Sequence, residues 1–177
     1  MAARRDALTP EQHRSLSAAL ARHLITALPA DRLAVVGHCW PIRNEPDLSL
    51  ALDHWRALGC RTVLPVVVAP GQPLVFRAWC PGEPLCPDRY GIPTPVAGPP
   101  VLPTLLLLPL NAFDGAGYRL GYGGGFFDRT LATLAPRPLA VGVGFEINRV
   151  DSIRPQAHDQ RLDWIASEAG AWRIDSG

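Results

Sequence analysis

The sequence contains no lysine, and all 17 of its basic residues are arginine. This absence excludes a P-loop lysine, a Schiff-base lysine and a lysine general base. Any anion that the protein binds must therefore be held by arginine, by backbone N–H groups or by a metal ion. The chain is also rich in alanine, arginine and proline, so a bias of genome composition accounts equally for the missing lysine.

Other absences narrow the class of protein. No apolar run approaches the roughly 20 residues that span a bilayer, and the N-terminus has no apolar segment of the signal-peptide type. Both observations predict a cytoplasmic protein. The four cysteines form no C-x-x-C pair, so zinc spacing is missing and reduced thiols are expected. The net charge of +1 gives no support for nucleic acid or a membrane surface as a partner.

Helix and strand patterns alternate along the chain. Thr9, Pro10 and Gln12 form an N-cap, a first-turn proline and a capping box, and predict an amphipathic helix. Further helices are predicted over 47–59 and 126–134. Strands are predicted at RLAVVGHCW, RTVLPVVV, PLVFRAW, TLLLLPL, PLAVGVGF, RLDWIAS and AWRI, with a loop-rich connection before TLLLLPL. The pattern predicts an α/β fold for all 177 residues: a single three-layer α/β/α domain with a largely parallel, Rossmann-like central sheet.

The segment RLGYGGGFFDRTLA, at 119–132, carries four glycines among the five positions 121–125. It follows a predicted strand and precedes a predicted helix, which is where α/β proteins bind ligands. Glycines let backbone N–H groups approach an anion closely, and a helix N-terminus adds a favourable dipole. Arg119 and Arg129 add positive charge. A flat apolar wall for a ring system is offered by Tyr122, Phe126 and Phe127.

Asp128 does not fit a simple phosphate site, because a carboxylate repels a phosphate unless a cation lies between them. This conflict indicates Mg²⁺, which proteins usually hold with few carboxylates and with phosphate oxygens. The alternative is a tight turn in which Asp128 caps or solvates the first helical turn. The glycine spacing matches neither the G-x-G-x-x-G fingerprint nor a Walker A loop.

The longer segment PLNAFDGAGYRLGYGGGFFDRTLA resembles the signature of the 5-formyltetrahydrofolate cyclo-ligases, also called 5,10-methenyltetrahydrofolate synthetases. Other segments resemble this family in order and spacing: RNEPDLSLALDHWRALGCRTVLPVVV, PLVFRAWCPGEPL with RYGIPTP, and AVGVGFEINRVDSIRPQAHDQRLDWIAS. The resemblance covers nearly the whole chain from about Arg4. It implies an enzyme that uses ATP and Mg²⁺ to phosphorylate the formyl oxygen of 5-formyltetrahydrofolate. Attack by N10 then closes the ring, and 5,10-methenyltetrahydrofolate, ADP and phosphate are released.

The resemblance also implies roles for individual residues. ATP would be bound by Arg119, Leu120, Gly121, Tyr122, Gly123, Gly124, Gly125, Phe126 and Phe127. The folate would be bound by Trp40, Glu45, Tyr122, Gly123, Gly124, Gly125 and Phe126. Mg²⁺ would be held by Asp128 and Asp159. Without the resemblance, Trp40 is more simply a packing residue, Glu45 a solvated loop residue and Asp159 a turn residue. No catalytic side chain is assigned, His158 included.

The chain also departs from the family pattern. A lysine- and arginine-bearing N-terminal segment that contributes to the family's ATP site is expected to be missing, because Arg4 and Arg5 do not match its motif. Leu48 replaces the threonine of an E-x-x-T pattern, and Asn148 replaces a usual glutamine. Two tyrosines of the family are replaced by Phe126 and Phe127.

Three functional hypotheses follow. The first is an active cyclo-ligase that works as a monomer on small-molecule substrates. The second is a family member that binds folate or a nucleotide with weak or no ligation, which the N-terminal departure favours. The third is an enzyme of another α/β family whose glycine loop binds a sugar phosphate.

Overall fold

The computed structural model describes residues 2–175. Its α-helices are α1 (Ala2–Asp6), α2 (Pro10–Ala27), α3 (Ser49–Ala57) and α4 (Phe126–Thr133), with short 3-10 turns at Ala30–Arg32 and Glu146–Asn148. The strands are β1 (Val35–Gly37), β2 (Arg61–Val66), β3 (Val75–Ala78), β4 (Leu85–Pro87), β5 (Pro93–Pro95), β6 (Leu105–Pro109), β7 (Ala112–Phe113), β8 (Arg119–Leu120), β9 (Leu139–Val143), β10 (Trp164–Ser167) and β11 (Gly170–Arg173). Helices and strands alternate as the sequence predicts.

Helix α2 begins with the predicted capping box. The Gln12 N–H donates to Thr9 Oγ1 at 3.2 Å, and the Thr9 N–H donates to Gln12 Oε1 at 2.9 Å. These two bonds satisfy N–H groups that the first turn of a helix leaves without partners. Leu20 and Leu24 on the apolar face are fully buried. No helix among residues 2–175 combines the length and the apolar composition needed to cross a membrane.

The central sheet has seven strands in the order β3-β2-β1-β6-β9-β10-β11. Strands β2, β1, β6, β9 and β10 are parallel, and the edge strands β3 and β11 are antiparallel to their neighbours. Numbered by themselves, the parallel strands have the order 2-1-3-4-5, one of the common doubly wound arrangements. The direction of winding reverses between β1 and β6. Ligands of such sheets bind outside the carboxyl ends of the strands at this switch point.

Strand β6 separates two apolar cores. Leu105 and Leu107 pack with α2 and α3 on one face, whereas Leu106 and Leu108 pack with α4 on the other face. All four leucines are fully buried. A strand buried on both faces reads as a continuous apolar run, which is the pattern from which the parallel sheet is predicted. The predicted three-layer α/β/α fold is therefore confirmed.

One prediction of extent is wrong. The strand predicted at RLAVVGHCW is only Val35–Gly37. The predicted loop-rich connection holds the short β4–β5 hairpin. After β1, the chain leaves the sheet and turns through Arg43 and Asn44, which have φ angles of 48° and 53°. The apolar residues after Gly37, such as Trp40, line cavities instead of extending the strand. Their hydrophobicity therefore reflects the walls of a cleft.

Gly142 in β9 is expected not to tolerate a side chain. A Cβ there would lie 2.6 Å from Leu162 Cδ1 and 2.9 Å from Leu110 Cδ2, and both leucines are buried. Gly142→Ala should therefore lower the free energy of unfolding by about 1–3 kcal/mol in urea denaturation. Gly115→Ala is the control, because nothing lies within 4 Å of its Cβ position, and its effect should stay below about 0.5 kcal/mol. A parent-like midpoint for Gly142→Ala would contradict the tight packing of β9.

Candidate active site

Two loops meet at the switch point of the sheet. The loop after β1 carries Trp40 and Glu45, and the segment after β6 carries the β7–β8 hairpin and the glycine loop 121–125, which leads into α4. Tyr122 of the glycine loop contacts Glu45 directly, because its hydroxyl donates to Glu45 Oε1 at 2.7 Å. The structure thus brings together two predicted sites that lie 77 residues apart in the sequence.

The glycine loop needs its glycines for conformation and for space. Gly123 and Gly125 have φ angles of 84° and 60°, in the left-handed region that favours glycine. A Cβ on Gly124 would lie 2.8 Å from the ring of Phe126. Arg129 of α4 holds the loop in place. Its NH2 group donates to Gly124 O at 2.5 Å, and its guanidinium carbon lies 5.2 Å from the centre of the Phe126 ring. The loop is therefore preformed at the N-terminus of α4.

Arg119 is held from inside the protein. Its NH2 group donates to Asp128 Oδ1 at 3.0 Å, and its NH1 group donates to Gln160 O at 2.8 Å. Its side chain is only 4% exposed. The Gln160 N–H donates to the same oxygen of Asp128 at 2.9 Å. Asp128 therefore neutralises Arg119, and its hydrogen bond with Gln160 connects the segment around Gln160 to the start of α4. Neither of the two predicted roles of Asp128, helix capping and metal binding, includes these contacts.

Asp128 and Asp159 line one cavity of about 260 Å³ together with the glycine loop. Asp159 Oδ2 accepts a hydrogen bond from the Gln156 N–H at 2.7 Å, and Asp159 Oδ1 lies 3.7 Å from His158 Nε2. No group of three or more His, Cys, Asp or Glu side chains that could hold a metal occurs within residues 2–175. Two carboxylates line this cavity. Proteins often hold Mg²⁺ with so few carboxylates when phosphate oxygens complete its coordination.

Glu45 is a buried carboxylate and not a solvated loop residue. It is 4% exposed, and its Oε2 accepts a hydrogen bond from the Ile42 N–H at 3.0 Å while Oε1 accepts from Tyr122. Burial raises the pKa of Glu45 above its usual value of 4.5, although both hydrogen bonds and the charges of Arg5 and Arg43 oppose this shift. Burial, together with the hydrogen bond to Glu45, raises the pKa of Tyr122 to about 12, so the phenol keeps its proton.

Tyr122 lines three neighbouring cavities. One is the glycine-loop cavity, a second of about 110 Å³ is lined by Trp40, Glu45 and Phe127, and a third of about 510 Å³ is lined by Tyr90 and Phe126. A fourth cavity, of about 740 Å³, lies beside Trp40 and Glu45 and is not lined by the glycine loop. The polar loop thus adjoins apolar, aromatic-walled space, the combination that suits a nucleotide phosphate beside a flat ring.

Comparison with known proteins identifies the family of this chain. A sequence profile of the 5-formyltetrahydrofolate cyclo-ligase family matches residues 1–168. The chain belongs to this family. The 5-formyltetrahydrofolate cyclo-ligase of Escherichia coli K12 is 32% identical over 178 residues, covering 96% of this chain and 97% of that protein. The cyclo-ligase of Mycolicibacterium smegmatis is 33% identical over 136 residues, covering 71% of this chain and 69% of that protein.

Solved structures of the cyclo-ligase family agree with the fold. The NMR structure of Aquifex aeolicus 5,10-methenyltetrahydrofolate synthetase superposes with a TM-score of 0.81 at 29% identity, covering 99% of this chain and 90% of that chain. A 5,10-methenyltetrahydrofolate synthetase from Mycoplasma pneumoniae has a TM-score of 0.75 at 21% identity, covering 94% of this chain and 93% of that chain. The second similarity supports the fold alone.

Within this cyclo-ligase, the predicted site residues fall into one region. The glycine loop, Arg119, Phe126, Phe127, Asp128 and Asp159 line one cavity, and Trp40 and Glu45 reach the same region through Tyr122. Their individual roles stay predictions. Arg119 differs from expectation in one respect, since its guanidinium is engaged by Asp128 and Gln160.

Sequence reasoning missed two residues of this region. Tyr90 packs edge-on against Phe126, with ring centroids 6.0 Å apart, and its signal was an aromatic residue in the RYGIPTP segment. Arg5 is fully buried, and its NH2 group donates to the hydroxyl of Tyr122 at 3.1 Å. Nothing in MAARRDALTPEQ distinguishes Arg5 from the exposed Arg4 beside it, because the burial of Arg5 depends on residues far along the chain.

Proposed function

We propose that this chain catalyses the ATP-dependent conversion of 5-formyltetrahydrofolate to 5,10-methenyltetrahydrofolate, with release of ADP and phosphate. The observation that carries the proposal is the hydrogen bond between Tyr122 and Glu45, which joins the phosphate-type glycine loop to a buried carboxylate in an aromatic-walled pocket. Membership of the cyclo-ligase family supports the same reaction. We also propose that the 177 residues form one domain, because both loops emerge from one sheet.

The chemistry explains why no nucleophilic side chain is needed. The oxygen of a formamide is a poor leaving group, so it first attacks the γ-phosphorus of ATP, and the bond to ADP breaks. N10 of the folate then attacks the formyl carbon and loses its proton, and the carbon–oxygen bond breaks to release phosphate. Phosphoryl transfer of this kind depends on positioning and on charge neutralisation. The N–H groups of 121–125 and the N-terminus of α4 would position an anionic phosphate and neutralise part of its charge.

The buried carboxylate is suited to the folate. Glu45 can accept hydrogen bonds from N–H groups of a pterin ring, and each such charge-assisted hydrogen bond fixes the orientation of the ring. Trp40, Phe126 and Phe127 supply apolar surface for its flat faces. Tyr122, which lies between the two cavities, would hold the formyl end of the folate near the phosphate site.

The donor set of the glycine-loop cavity fits Mg²⁺. Asp128 and Asp159 are hard oxygen ligands that line the cavity where the phosphates would lie. When bound, Mg²⁺ would neutralise charge that develops on the phosphate oxygens. The protein residues themselves hold the loop, and Asp128 also orients Arg119.

A second candidate function is folate binding with weak ligation. It is favoured by one observation, since the guanidinium of Arg119 is already neutralised by Asp128 and its side chain is only 4% exposed. A protein of this kind would bind 5-formyltetrahydrofolate with Glu45 and bind ATP poorly. Titration of the purified protein with each ligand separates this function from an active cyclo-ligase.

The test of the proposed function is turnover. The purified chain should form 5,10-methenyltetrahydrofolate, followed by its absorbance, only when ATP and a divalent cation are both present, with one ADP released for each product. Reactions without ATP, without the cation or without enzyme are the controls. Absorbance that stays at the enzyme-free level across all substrate concentrations would contradict catalysis, and binding of 5-formyltetrahydrofolate alone would then support the second candidate.

We further propose that the enzyme acts as a cytoplasmic monomer on small molecules, without nucleic acid or membrane partners. The four cysteines are free thiols, which suits a reducing compartment. Both loops of the candidate site come from one chain. Sedimentation of the purified protein at the expected 19.1 kDa would support the monomer.

A further inference from the structure

The buried guanidinium of Arg5 contacts the Tyr122 hydroxyl of the candidate site and has no carboxylate in direct contact. Arg5 belongs to the short helix α1 and is fully buried. Its Nε donates to Arg43 O and its NH1 group donates to Leu110 O, each at 3.1 Å, while NH2 donates to the Tyr122 hydroxyl. A buried cation is stable only when it is hydrogen-bonded and neutralised nearby. The neutralising group must therefore be found beyond the three acceptors.

That group is Glu45, which Arg5 reaches through Tyr122. Arginine can only donate hydrogen bonds, and an ionised carboxylate can only accept them. The Tyr122 hydroxyl therefore accepts from Arg5 at 3.1 Å and gives its single proton to Glu45 at 2.7 Å. The direction of both hydrogen bonds is thus fixed from Arg5 through Tyr122 to Glu45, and charge at one end strengthens the bond at the other.

We propose that Arg5 is a positioning residue for the folate: through the Tyr122 hydroxyl it holds the Glu45 carboxylate in the orientation that receives the pterin ring. This inference rests on the proposed function. It adds a residue of the N-terminal helix to the folate side of the site, whereas the family resemblance assigns N-terminal basic residues to ATP. It also links the glycine loop to Arg5, because the hydroxyl of Tyr122, a residue that is 46% exposed, accepts from the buried guanidinium.

The other charged and titratable groups around Glu45 define the expected pH response. Arg43 also lowers the pKa of Glu45, Cys39 keeps its proton because burial raises the pKa of its thiol, and His13 Nε2 lies 2.8 Å from the backbone oxygen of Glu45. Because Arg5 favours the ionised carboxylate, its removal should raise the pKa of Glu45 further. As the solution is acidified, folate binding should then weaken at a higher pH than in the parent; we call this low-pH side of the binding profile the acid limb.

The experiment compares Arg5→Met, Tyr122→Phe and the double variant with the parent. Dissociation of 5-formyltetrahydrofolate is measured by calorimetry from acid to neutral pH, and the KM values for folate and ATP are measured separately. Each single variant should weaken folate binding about tenfold or more and shift the acid limb upward, with a smaller change in the KM for ATP. The double variant should be no worse than Arg5→Met, since both changes break one chain of hydrogen bonds.

Arg4→Met is the matched control, because Arg4 lies on the same helix, is exposed and donates to Ile147 O, away from Tyr122. It should bind folate as the parent does. If Arg5→Met fails to fold, Tyr122→Phe decides the question, since it removes one oxygen from a half-exposed residue. Parent-like folate binding and an unshifted acid limb in Tyr122→Phe, or additive losses in the double variant, would overturn the positioning role. A parent that does not bind folate would instead overturn the proposed function, and this role with it.

Discussion

Asp128→Asn is expected to lower both the activity and the stability of the protein. Asp128 Oδ1 accepts from Arg119 and from the Gln160 N–H, and the Arg119 side chain is 4% exposed. Asparagine keeps an acceptor oxygen but loses the charge that neutralises the buried guanidinium. The loss should be about 1.5–3 kcal/mol in the free energy of unfolding. If Asp128 also binds Mg²⁺, the concentration needed for half-maximal turnover should rise strongly.

Asp159→Asn separates the two effects. Asp159 lines the same cavity but does not neutralise Arg119, and its hydrogen bond comes from the Gln156 N–H. We therefore expect a similar rise in the Mg²⁺ requirement with little loss of stability. Asp53→Asn is the control, because Asp53 is 67% exposed and pairs with Arg56 on α3. If both cavity variants keep the Mg²⁺ dependence of the parent, the glycine loop is a metal-free phosphate cradle.

Glu45→Gln is expected to weaken folate binding. The amide has the size of the carboxylate, but its NH2 group cannot accept a hydrogen bond, so either the Ile42 N–H or the Tyr122 hydroxyl loses its acceptor, and the charge that would hold pterin N–H groups is gone. A hydrogen bond to a charged group contributes about 1.5–3 kcal/mol, so folate affinity or turnover should fall about tenfold or more. ATP binding should change little, because Glu45 does not line the glycine-loop cavity.

The pH dependence gives Glu45→Gln a second measurement. The folded-state pKa of Glu45 lies above 4.5, so the folded protein holds this proton more tightly than the unfolded chain does. Ionisation of Glu45 therefore reduces stability as the pH rises from 4.5 through the folded-state pKa. Over that interval, the stability of Glu45→Gln should improve relative to the parent. Glu11→Gln, at an exposed position of α2, is the control. Folate binding equal to that of the parent would show that Glu45 does not contact the folate.

The parts of the fold that the sequence predicts well are those governed by local pattern. The capping box at Thr9 and Gln12 marks the start of α2, and the leucine run of β6 marks a strand buried on both faces. The end of β1 was predicted less well, because the apolar residues that follow it line cavities. Their environment is created by segments that lie far away in the sequence, so no local pattern distinguishes a cleft wall from a strand.

The candidate site shows the same division. The glycine loop is recognisable because glycine, arginine and aspartate occur together before a helix. The pairing of Asp128 with Arg119 was not predicted, since it depends on the β7–β8 hairpin folding Arg119 back toward α4. Arg5 gave no signal at all, because its three acceptors belong to segments that are 38 to 117 residues away.

The strand order also has a consequence for synthesis on the ribosome. Strand β1 is hydrogen-bonded on one edge to β2, which follows closely, and on the other edge to β6. The Val35 N–H donates a hydrogen bond to Thr104 Oγ1, which lies 69 residues later in the sequence. While the intervening chain is being translated, β1 therefore presents an unpaired edge to other nascent chains, and such edges promote aggregation. The emergence of β6 closes that edge, and the same event creates the switch point at which both loops of the candidate site are placed.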